Sequence, residues 1–111
     1  MFWVINDEVA SLVTDEVISD ALSEGGRELR AGIMKRCIDY DRNYRLKSLG
    51  FNKHQRAVGA MYIYSKEVKS PIYENLERAV RDYASRVGAS SIFPHIDERL
   101  VWKGGNLYWN P

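Results

Sequence analysis

The residues of this chain able to do chemistry are few. Cys37 is the only thiol, and His54 and His95 are the only imidazoles. A cysteine nucleophile needs a neighbouring base or cation that holds it as thiolate. Cys37 instead falls on the apolar stripe of the helix predicted around it, where a thiol serves as a small core residue. His95-Ile96-Asp97, followed by Glu98, offers at most two or three metal ligands. With no second histidine nearby and no cysteine pair, that is short of a zinc or transition-metal set. Glu67-Val68-Lys69, with Asp39 or Asp41 upstream, is an acid-x-lysine arrangement of the kind metal-dependent nucleases place on strands. Two carboxylates would hold Mg²⁺ there and the lysine would stabilise developing charge. That chemistry requires strands over 52–69 and around the upstream aspartate, and helix is the expected form of both. Neither a glycine-rich phosphate loop nor a nucleophile elbow nor a zinc-type Cys/His spacing occurs in the sequence. No catalytic residue, metal or cofactor is expected, and a small metal-dependent nuclease is kept as a second alternative.

The elements that must position these residues are mainly helical. Val9, Leu12, Val13, Val17, Ile18 and Leu22 fall on one stripe of a helix. Gly25-Gly26 ends it, because two glycines inside a helix cost ~2 kcal/mol relative to alanine. Leu29, Ile33, Cys37, Tyr40 and Tyr44 form the stripe of a second helix over 27–46, with Gly50 as a stop. A third element follows Asn52, an N-cap residue type, and its spacing favours a helix. Val58, Ala60, Tyr62 and Tyr64 also alternate as a strand would. Ser70 at N-cap, Pro71 at N1 and Glu74 in the first turn start a fourth helix, whose stripe runs from Ile72 to Val87 and is closed by Gly88. Ser91 to Ile96 reads as a short strand, pushed to an edge or a bend by Pro94. Arg99 to Trp109 reads as a hairpin on the two-residue loop Gly104-Gly105, of type I′ or II′. Its register sets Leu100 against Trp109, Val101 against Tyr108 and Trp102 against Leu107. Leu100, Trp102, Leu107 and Trp109 then share a face expected to pack on the helices.

These elements fit one domain over 1–111 of class α+β, mostly helical, with a C-terminal β-hairpin packed on the helices. The 45% hydrophobic and 28% charged composition excludes disordered, collagen-like and coiled-coil chains. A single cysteine excludes the disulfide-stapled secreted class and points to a reducing compartment. Met1 to Ile5 are apolar but lack the basic flank of a signal peptide. No run approaches the ~18 apolar residues of a membrane span. A cytoplasmic protein without a membrane partner is expected.

Net charge is only +1, yet it is segregated. Residues 1–26 carry six acids and no Lys or Arg, residues 27–56 carry nine bases against three acids, and the remainder carries seven bases and six acids. The helix-helix-helix-strand-hairpin order resembles that of a winged helix-turn-helix module, which implies nucleic-acid binding. The candidate contacts are Arg30, Lys35, Arg36 and Arg42 on the basic helix, and Arg78, Arg81, Arg86 and Lys103 on the later helix and hairpin tip. Glu74, Glu77 and Asp82 sit among the latter set and oppose it. The leading expectation is a small non-enzymatic protein that docks on another protein, as inhibitors, immunity proteins, antitoxins and phage-type modulators of host systems do. Asp15, Glu16 and Asp20 would supply its charge, and Trp3, Tyr62, Tyr64 and Tyr73 its aromatic anchors. A homo-oligomer is compatible with this reading.

Overall fold

The computed structural model describes residues 27–68 and 71–110. Four α-helices are present there: α1 (Arg27–Asn43), α2 (Lys53–Glu67), α3 (Pro71–Arg86) and the short α4 (Phe93–Asp97). Two 3₁₀ turns, Leu46–Leu49 and Ser90–Ile92, precede α2 and α4. An antiparallel hairpin of β1 (Leu100–Lys103) and β2 (Asn106–Trp109) ends the described chain. The class is α+β, as the sequence implies. The predicted helix over Val9 to Leu22 and the Ser70 cap lie outside the described residues.

Helix α2 is the centre of the core. Its start is local chemistry: the Asn52 side chain accepts from the Gln55 N–H, and the Gln55 side chain accepts from the Asn52 N–H, both at 2.9 Å. This reciprocal capping box satisfies two otherwise orphaned donors. Every residue from Ala57 to Ser65 is buried. A helix covered on all sides has no polar face to mark its period, which is why the strand alternation of Val58, Ala60, Tyr62 and Tyr64 competes in the sequence. The strand alternative is not realised. Helices α1 and α3 each pack along α2, and the Leu46–Leu49 turn and α4 close over it.

That closure needs a glycine. A Cβ at Gly59 would lie 3.1 Å from Ile96 Cδ1 and 3.3 Å from Leu46 Cδ1. Both neighbours are fully buried, so a branched side chain there overpacks the junction of α2, α4 and the turn. Gly59→Val is expected to lower stability by ~2 kcal/mol, measured as a shift in urea midpoint at constant m-value.

Two boundaries differ from the sequence reading. Helix α1 stops at Asn43 rather than at Leu46. Arg45 turns the chain in the left-handed conformation (φ 51°, ψ 46°), so that Leu46 enters the core with no exposed surface. The stretch Ser91 to Ile96 is not a strand but a 3₁₀ turn running into α4. Proline lacks an amide and suits the first turn of a helix, and the helical turn buries Ile92, Phe93 and Ile96 together.

The hairpin has the expected register, Leu100 opposite Trp109, Val101 opposite Tyr108 and Trp102 opposite Leu107. Gly104 and Gly105 have φ of 59° and 80°. Two successive positive φ values are what a type I′ turn demands. The face expected to pack is covered only in part. Leu100 and Trp109 are half-buried against the core, with the Trp109 ring 5.2 Å from that of Tyr44. Trp102 keeps 41% of its surface exposed, because the hairpin meets the body at its base, where β1 packs on α4, and Trp102 stands nearer the turn.

Candidate functional site

The basic block of the sequence folds into a corner formed by the second half of α1, the turn after it and the start of α2. The acids of this stretch are withdrawn. Asp41 is buried and held by Arg56, with Arg56 Nε donating to Oδ1 at 3.0 Å and Nη2 to Oδ2 at 2.6 Å. Asp39 is half-buried. Among the described side chains from Gly32 to Arg56, the exposed charged ones are Lys35, Arg36, Arg42, Arg45, Lys47 and Lys53, all cationic. Lys35 and Arg42 are seven residues apart, two turns along one stripe of α1. Arg42 lies in the last turn of α1, where a cation also meets the negative end of the helix dipole.

The backbone at this corner is strained. Arg45 is the only non-glycine with positive φ among the described residues. A β-carbon in that region costs on the order of 1 kcal/mol or more. The turn is braced by Ser48, whose hydroxyl donates to the Arg45 carbonyl at 2.6 Å. Glycine would be the ordinary residue here, so an exposed arginine at this position carries a conformational cost.

The other predicted cations are more scattered. Arg78 and Arg86 are exposed on α3 beside the exposed acids Glu74 and Asp82. Arg81 is exposed but engaged within the fold: its guanidinium lies 4.8 Å from the Phe93 ring centre and 5.2 Å from that of Tyr62, and it pairs with Glu77 at 3.4 Å. Lys103 is exposed at the end of β1, while the Arg30 side chain lies outside the described residues. Helix α4 stands between α3 and the hairpin, where the winged-helix order expects a strand.

The predicted protein-docking residues fare differently. Tyr62 and Tyr64 are buried, at 1% and 8% exposure, and are removed as surface anchors. Each falls within the buried run of α2, and the sequence could not show that all faces of that helix are covered. Asp15, Glu16, Asp20, Trp3 and the Tyr73 side chain lie outside the described residues. The exposed apolar surface is instead on the hairpin: Val101 at 41%, Trp102 at 41% and Tyr108 at 52%. Val101 and Tyr108 line an open cleft of about 580 Å³ with Lys103, Asn106 and Asn110. Arg45, Lys47 and Lys53 are not among the candidate contacts that the sequence reading names. Their signal was membership of the basic block.

No family model matches the chain, and comparison with curated proteins and with solved structures finds no match to it. The site is therefore read from its own chemistry.

Two of the groups weighed for chemistry, Cys37 and Asp41, are buried in the fold. Cys37 has no exposed surface, and burial pushes its thiol far above the ordinary range, away from thiolate. Glu67 is the last residue of α2, so the strand required by a nuclease triplet is absent, and Asp41 is committed to Arg56. Among the described residues no three His, Cys, Asp or Glu side chains converge as a metal set. A polar cluster does link α2, α3 and α4. The Tyr62 hydroxyl donates to Asp97 Oδ1 at 2.6 Å and accepts from Arg81 Nη2 at 3.3 Å, while Lys66 pairs with Glu77 at 3.0 Å. Burial, with the Asp97 hydrogen bond and charge and the Glu77 charge adding to it, raises the Tyr62 hydroxyl well above its usual range against the opposing pull of Arg81. A phenol so placed stays protonated and ties helices together.

Proposed function

We propose that this chain is a non-enzymatic, cytoplasmic binding protein that grips a nucleic-acid backbone through the α1–α2 corner. The observation that carries the reading is the set of exposed cations Lys35, Arg36, Arg42, Arg45, Lys47 and Lys53 with no exposed acid among them. A cluster of one sign raises the local concentration of polyanions and releases their counterions on binding. Half-buried Tyr44 and exposed Asn43 at the same corner add groups for stacking and hydrogen bonding. No described helix is long and apolar enough to cross a membrane.

Protein docking is the second reading, and the exposed hairpin face favours it. Trp102, Tyr108 and Val101 are of the kinds that anchor protein interfaces, as in an inhibitor, immunity protein, antitoxin or phage-type modulator. With Tyr62 and Tyr64 inside the core, this surface is narrower than the sequence implies.

The test is fluorescence anisotropy with labelled random-sequence duplex and single-stranded DNA. If most of the six cations contact phosphates, affinity falls ~10²- to 10³-fold between ~50 and ~200 mM salt. Absence of binding at ~50 mM salt overturns the nucleic-acid reading and leaves the hairpin face as the docking surface.

A further inference from the structure

Strand alternation puts Val101 and Lys103 of β1 and Asn106, Tyr108 and Asn110 of the second strand and its end on the face of the hairpin opposite Leu100 and Trp109. These five residues line the open cleft, whose volume of about 580 Å³ falls within the ~300 to 1,000 Å³ of small-molecule sites. No acid occurs from Arg99 to Asn110, and Lys103 is exposed. Trp109 also lines the cleft, and its ring stands 5.2 Å from that of Tyr44. Tyr44 is followed directly by Arg45 of the basic corner. One aromatic contact therefore joins the cleft to the corner.

We propose that the nucleic acid held at the corner is single-stranded, and that one of its unpaired bases enters the hairpin cleft and stacks on Tyr108; this rests on the corner reading above. A base has a flat π face and a polar edge. Tyr108, 52% exposed, offers a ring to the face. Asn106 and Asn110 each carry an amide donor and acceptor for the mixed donors and acceptors of the edge. Lys103 supplies a cation for the neighbouring phosphate, while exposed Lys35, Arg36, Arg45, Lys47 and Lys53 hold the backbone at the corner. A duplex keeps its base faces stacked inside and shows a protein only base edges and phosphates. It can meet the cations, but it has no face for Tyr108. A cationic track running into an exposed ring suits a single strand.

The experiment uses the full-length chain and three labelled ligands at ~50 mM salt: a ~16-nucleotide oligothymidine, an equally long strand with abasic sites in place of its bases, and a duplex of that length. The abasic strand keeps its phosphates and offers nothing to stack. Anisotropy compares the wild type with Tyr108→Ala and Tyr108→Phe; the Tyr108 ring is no part of the hydrophobic core. The wild type is expected to bind oligothymidine ~10-fold more tightly than the abasic strand. That difference disappears in Tyr108→Ala and persists in Tyr108→Phe, and duplex affinity is the same in all three proteins. Because no cation is removed, the slope of log affinity on log salt is unchanged in Tyr108→Ala. Equal binding of oligothymidine and the abasic strand by the wild type overturns base stacking and leaves the corner reading standing. A preference for bases that survives in Tyr108→Ala overturns the cleft as their site. No binding of any ligand overturns the corner reading and the cleft proposal with it, and gives the hairpin face to a protein partner. The abasic comparison is made on the wild type, so a poorly folded variant cannot hide the answer.

Discussion

Asp41→Ala is expected to cost ~3 to 5 kcal/mol of folding stability. Asp41 is 3% exposed, and both its oxygens accept from Arg56, whose own side chain is 12% exposed. Truncating the aspartate takes the carboxylate away from a guanidinium that is only 12% exposed, and that desolvation cost dominates. The pair bridges α1 to α2 across fifteen residues of sequence, so its loss also loosens the corner that carries the exposed cations. Replacing both partners together, Asp41→Leu with Arg56→Met, removes the buried charge altogether and is expected to be much milder than the single change. Denaturant unfolding of the two proteins checks the argument. If the single and double variants were equally damaging, the penalty would come from lost packing and not from an orphaned charge.

The second large effect is on binding. Arg36→Glu combined with Arg42→Glu is expected to weaken nucleic-acid affinity ~100-fold at ~50 mM salt and to lower the slope of log affinity on log salt by ~2. Both residues are exposed on α1, and at Arg42 the change also reverses a favourable dipole contact of ~0.3 to 1 kcal/mol. Two controls locate the surface. Arg78→Glu on α3, whose exposed face already mixes Glu74 and Asp82 with arginines, should leave affinity within ~3-fold. Arg45→Gly relieves the left-handed strain at φ 51°, so it should weaken binding while holding or raising stability. Loss of binding from Arg78→Glu with retention in the Arg36/Arg42 variant would move the interface to α3 and restore the winged-helix geometry.

Much of this architecture was legible because it is decided within a few residues. Gly104-Gly105 dictates a two-residue turn of type I′ or II′, and with either type the pairing of Leu100 with Trp109 follows from counting. Asn52 starts α2 through its own side chain. The reciprocal half of that box, from Gln55, is equally local. The amphipathic stripe of α3 is visible because one side of that helix remains in water. Elements without a solvent face gave no such mark. Helix α2 was ambiguous because it is covered all round, and Tyr62 and Tyr64 looked like surface anchors for the same reason. The stretch Ser91 to Ile96 was misread because its short apolar run fits a strand as well as a helical turn until α2 is there to pack against.

The sequence by itself determined the helical body, the hairpin and its register, the absence of an intramolecular disulfide and the segregation of charge. Each depends on composition or on contacts between near neighbours in the chain. Tertiary structure alone decided which charges face water: Arg56 packs beside Asp41 and takes that carboxylate inward, leaving the cations of the corner outside. It also decided that Trp102 stays exposed while Trp109 is half covered, because the hairpin is held to the body at its base. Burial of a side chain is a property of the elements that close over it, and those elements are brought together only when the chain folds.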